Sequence, residues 1–139
     1  YYKSTRFDQN FQIRLHRGNG SWGGDHGTYG YGLSKDHIVA NVWNYDINWK
    51  IQVYENGVYS GDMTLSYADY FKTDAWAQAY HIGVVNRNPD NYSQISTHDF
   101  VYKLKNPEAK VRVVAIDNYG NQYEQTMFTE DLEAAYIYK

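Results

Sequence analysis

Apolar and polar residues alternate through FQIRLH (11–16), with Phe11, Ile13 and Leu15 set against Gln12, Arg14 and His16. A period of two belongs to a strand with one buried and one wet face, so this segment predicts a strand whose solvent side carries His16. HIVANVW (37–43) predicts a second strand. In WKIQVYENGVYSGDM (49–63), Trp49, Ile51 and Val53 share a face, and Glu55-Asn56-Gly57 supplies residues that tolerate positive φ. The chain then returns, which predicts a hairpin of well-specified register. KVRVVAIDNYGNQYEQ (110–125) repeats the plan, with Val111, Val113 and Ala115 alternating against Arg112, Val114 and Ile116 before the turn DNYGN. It predicts a long central hairpin. DFVYKLKNP (99–107) predicts a strand ended by Asn106-Pro107.

Two stretches fit the period of two less well. In SYADYFKTDAWAQAYHIGVV (66–85), Trp76, Ala79 and Tyr80 have helical spacing while YHIGVV looks extended, so a short helix or turn leading into a strand is expected. The tail TEDLEAAYIYK (129–139) has a capping Thr129 before an acidic turn but is short for a stable helix. About seven short strands with at most one or two short helices describe an all-β, antiparallel two-sheet β-sandwich. The two hairpins resemble the closing strands of an immunoglobulin or fibronectin III sandwich.

Composition supports a β-rich domain. Sixteen of 139 residues are Tyr, beside four Trp and five Phe, and such aromatics favour pleated, half-buried surfaces and binding faces. The length fits one domain, a single module over 1–139 with no interdomain linker. Thirteen Lys and Arg against 16 Asp and Glu leave a net charge of -3, which argues against nucleic acid as a partner. No apolar run approaches a membrane span, and the start YYKSTRFDQN lacks the pattern of a signal peptide. The absence of cysteine excludes disulfides and thiol chemistry and leaves the compartment open.

The stretch RGNGSWGGDHGTYGYG (17–32) holds seven of the eleven glycines. A phosphate cradle needs a following helix, with Gly-Lys-Ser/Thr in the P-loop case; here the next segment reads as a strand, so a loop at one end of the sandwich is expected. Within it Trp22, Tyr29 and Tyr31 could stack on sugar rings or on a neighbouring domain. Asp25-His26 supplies two of the four or more ligands a metal needs. His98-Asp99 has the same weakness, because neighbours in a strand point to opposite faces. His81 reads as a partly buried structural histidine. Trp49 and Trp76 read as core; Trp43 is open between core and surface. Neither a catalytic triad motif nor a converging carboxylate pair is apparent.

DHIVANVWNYDINWKIQVYENG, GDMT, DAWAQAYHIGV and YKLKNPEAKVRVVAIDNYGNQYE, together with the opening YYKST, resemble the C-terminal domain of calcineurin-like phosphoesterases of Bacteroides-type bacteria. The likeness runs from Tyr1 to about Glu124. It implies a larger, exported parent with a central two-metal catalytic domain absent from this chain. That metal pair, two divalent cations, is built from Asp-x-His, Gly-Asn-His and Gly-His-x-His motifs, which this sequence lacks; its Gly-Asp occurrences (24–25 and 61–62) stand alone. No cofactor is therefore expected in this chain. The resemblance implies a noncatalytic module packing on the catalytic domain, with His81 and His98 as rim candidates; the glycine-rich loop inherits nothing from the likeness, and its Trp22, Tyr29 and Tyr31 make it a candidate for docking on that domain or rimming its cleft. A carbohydrate-binding module is the rival, with Trp22, Tyr29, Tyr31 and Trp43 as an exposed platform for glycan. The two differ in arrangement: sugar needs coplanar exposed rings, docking a broader mixed patch. An enzyme in its own right ranks below both.

Overall fold

A computed structural model describes residues 12–18, 34–66 and 97–127. The described residues form eight strands: β1 (Ile13–Arg17), β2 (His37–Val42), β3 (Lys50–Glu55), β4 (Val58–Asp62), β5 (Thr64–Leu65), β6 (Asp99–Lys103), β7 (Val111–Ile116) and β8 (Gln122–Thr126). They pair antiparallel into two four-stranded sheets, ordered β1-β2-β6-β5 and β4-β3-β7-β8. The fold is a β-sandwich. Trp22, Tyr29, Tyr31, Trp76 and His81, the two stretches read with helical character and most of the glycine-rich segment lie outside the described residues.

The period of two sets which side chains meet between the sheets. Ile13 and Leu15 of β1, Ile38, Ala40 and Val42 of β2, and Phe100 of β6 face Ile51 and Val53 of β3 and Val111, Val113 and Ala115 of β7. Burying so many branched apolar side chains is the main stabilising contribution, at about 25 cal/mol per Å² of apolar surface removed from water. Trp49, read as a core residue, is only partly buried: it borders the core, its ring stacked on Tyr123 at 5.9 Å and 15°.

The first hairpin is built as the alternation predicts. Asn56 and Gly57 take positive φ (51° and 83°) in a two-residue turn, and Glu55 pairs with Val58. Its return strand departs from a simple hairpin in two ways. Ser60 is an extra residue between the pairs Tyr54–Tyr59 and Val53–Gly61, a bulge that bends the edge strand. Beyond Met63, which is buried in the core, the chain leaves β3 and joins the other sheet, where Thr64 pairs with Val101 and Leu65 with Phe100. Strands that switch sheets close the corners of sandwiches. In the second hairpin β7 is central and β8 is an edge, so only half of it is the central element expected.

The wet face assigned to β1 is not wet. His16 is 3% exposed, and on the same face Val39 and Asn41 of β2 and Asp99 of β6 are buried as well. This sheet is covered on both sides, and alternation cannot report the second cover because it registers only differences between faces. Asn41 lies between Arg14 and Asp99 in the cross-strand register, forming a polar row within that covered face.

Candidate functional site

Strand direction gives the sandwich two ends with different chemistry. At one end β1 and β2 meet through Arg17 and Ile38, β3 turns into β4 at Asn56-Gly57, and β6 leads into β7 through residues 104–110. The glycine-rich segment joins β1 to β2, so both its roots are at this end. They are tightly held: Arg17 donates from Nε to the Lys35 carbonyl at 2.8 Å and from Nη2 to the Pro107 carbonyl. Asp36 accepts from Ser34, sits 2.8 Å from Nδ1 of His37 and 3.5 Å from Lys103 Nζ. The Ser34 hydrogen bond above all, with help from His37 and Lys103 against the opposing effect of burial, lowers the Asp36 carboxyl to about 2.

Glu55 ties the same end together. Its carboxylate accepts from the backbone amides of Asn106 (2.7 Å) and Lys105 (3.3 Å) and from the Ser60 hydroxyl, which also contacts the Tyr102 hydroxyl at 2.8 Å. Burial acts to raise its pKa, but the hydrogen bonds from Ser60, Asn106 and Lys105 and the Lys105 charge outweigh it and leave the group lowered. The carboxylate is engaged with its own fold.

The opposite end carries the start of β1, the β2–β3 connection (43–49), the residues before β6 and the β7–β8 turn (117–121). Trp43 and His98 are here, at the opposite end from the roots of the glycine-rich segment. Trp43 is buried, with the Arg14 guanidinium 5.3 Å from its ring centroid. It therefore cannot serve as part of an exposed sugar platform, and that expectation is corrected. The His98 ring packs edge-on against Tyr45 (5.7 Å, 88°), which in turn packs edge-on against Phe100. Asp99 is buried on the other face, as alternation requires.

Two residues at this end carry no mark as candidates in the sequence reading. Ile47 is 84% exposed and Tyr119 is 91% exposed. Each rides on a turn locked by an aspartate. Asp46 accepts from the amide (2.9 Å) and side chain (2.8 Å) of Asn48 and from the side chain of Asn118 (3.2 Å), the last bond joining the two turns. Asp117 accepts from the amides of Tyr119 and Asn121, each at 2.8 Å. Donation by the Asn48 amide and then by Asn118 keeps Asp46 low; for Asp117, burial opposes but donation from Asn121 and Tyr119 prevails. Both are anions at neutral pH. The available signal was an apolar residue inside an Asp/Asn-bracketed turn, DIN and DNYGN, where self-capping side chains leave the residue between them displayed.

Beyond the two ends, the outer face of the second sheet holds an aromatic cluster. Tyr59, half exposed, meets Tyr54 at 70°, and Arg112 lies 4.5 Å from the Tyr54 ring centroid while paired to Glu124 at 2.7 Å. These rings are crossed, not coplanar, and do not form a sugar-stacking surface. Among the described residues no three His, Asp or Glu side chains gather as metal ligands, and no described helix is long and apolar enough to cross a membrane.

What class of domain this is follows from comparison. The family model for the C terminal of calcineurin-like phosphoesterase matches residues 1–123. The chain belongs to that family. No curated protein and no solved structure matches it. As a member of this C-terminal family, the domain takes its family name from a hydrolase, while Asp36, Asp46, Glu55 and Asp117 are tied into turns and strand ends.

Proposed function

We propose that this chain is the noncatalytic accessory module of a calcineurin-like metallophosphoesterase, packing on the catalytic domain of the same polypeptide and helping to wall its substrate cleft. The family match over residues 1–123 carries this reading. It is supported by the carboxylates Asp36, Asp46, Glu55 and Asp117, each of which accepts hydrogen bonds from its own turn or a neighbouring loop. A carboxylate that bridges two metals needs free lone pairs instead. The two divalent metals belong to the catalytic domain, and the parent is an exported enzyme of the Bacteroides type. An immunoglobulin-type connectivity goes with this reading: lettered with β5 as D and β4 as C′, the described strands run A-B-E-D and C′-C-F-G.

The test is an amide NMR titration of this chain with the separately expressed catalytic domain, then with a panel of glycans and phosphoesters, alongside a hydrolysis assay with added divalent metal. Saturable shifts with the catalytic domain alone, and no hydrolysis, are expected. Saturation by a glycan would make it a carbohydrate-binding module, and hydrolysis by pure chain would make it an enzyme.

A further inference from the structure

We infer that the docking face is the end of the sandwich carrying Ile47 and Tyr119, and that its occupant is the catalytic domain preceding this one in the polypeptide. The inference rests on the packing reading above and selects the surface, moving it from the glycine-rich loop to the opposite end. Two independent observations lead there.

The first is where the chain enters. β1 begins at Ile13, which pairs with Val42 at the last residue of β2, and the Trp43 amide donates to the Gln12 carbonyl at 2.9 Å. The polypeptide therefore comes into the sandwich beside the β2–β3 connection, at the end that displays Ile47 and Tyr119. The roots of the glycine-rich segment are a strand length further away.

The second is how the two apolar side chains are presented. Ile47 and Tyr119 are largely in water, yet their turns are held by aspartate caps and joined by the Asn118–Asp46 bond. A displayed hydrophobe on a pre-ordered turn loses little conformational freedom on binding, which is how preorganised loops gain affinity. Loops gathered at one end of a sandwich are also the site at which variable immunoglobulin domains bind. Asp46 and Asp117 at the base of the turns are anionic, so the complementary surface is apolar with a basic rim.

The experiment is hydrogen–deuterium exchange on this chain alone and on the full parent polypeptide. Amides of residues 46–48 and 118–121 are expected to exchange at least about tenfold more slowly in the parent. The double variant Ile47→Asp/Tyr119→Ser should abolish that protection in the parent while leaving the melting temperature of the isolated chain unchanged, since both side chains are bare there. Protection confined to another surface, such as residues 54–59, would overturn this assignment and leave the packing reading standing. No protection anywhere in the domain would overturn both.

Discussion

Replacing Glu55 by Ala tests whether the glycine-loop end is held by this one carboxylate. The substitution removes the acceptor for the Asn106 and Lys105 amides and for Ser60. Hydrogen bonds to a charged group contribute roughly 1.5–3 kcal/mol each, and a donor stranded away from water costs about 1–3 kcal/mol. Because the site is at the rim and water can recover part of this, about 2–4 kcal/mol is expected in all, from a total stability on the order of 10 kcal/mol. For a domain of this size that lowers the melting temperature by roughly 6–15 °C. The pH dependence supplies a second check. Glu55 has a lowered pKa in the folded state, so its contribution is fully present above the unfolded value of about 4.3 and is lost as pH falls through the lower folded value. Paired melts of wild type and Glu55→Ala by circular dichroism should therefore differ most near neutrality and converge below about pH 4. Equal melting temperatures at pH 7, or a difference that persists unchanged at pH 3, would refute the reasoning.

Gly57→Ala should cost about 1 kcal/mol in chemical denaturation, wholly from the backbone, because φ is 83° and a Cβ there meets nothing within 4 Å. Gly61→Ala should cost roughly 1–2 kcal/mol by a different route: its Cβ would lie 3.0 Å from the Tyr102 ring and hydroxyl, displacing the partner of Ser60. Trp43→Ala should destabilise by about 3–5 kcal/mol, while Trp43→Phe keeps more of the packing against Arg14 and loses less; a variant as stable as wild type would mean the ring is not buried.

Individual strands were legible because alternation records which face is drier. Ile51 and Val53 beside Gln52 and Tyr54, and Val111, Val113 and Ala115 beside Arg112, predicted both hairpins, and Asn56-Gly57 marked its turn by the positive φ it had to supply. A family resemblance lay in the strings themselves and was met by the match over residues 1–123. The cover on the second face of β1 and β2 was not legible, since His16, Asn41 and Asp99 are polar residues that alternation assigns to water and folding nevertheless buries. Nor was the sheet switch at Met63, which depends on Phe100 and Val101 being available in the other sheet.

The same division holds for the candidate site. By itself the sequence determined a β-sandwich with a glycine-rich connection, self-capped Asp/Asn turns and an aromatic excess, because periodicity and turn chemistry are local properties of a few consecutive residues. Only the tertiary structure decided that Trp43 is enclosed, that Ile47 and Tyr119 stand out at one end, and that the glycine-rich segment is rooted at the other. Exposure is set by what packs against a residue from far along the chain, as when Asn118 reaches Asp46 across 72 positions, and no local pattern carries that information.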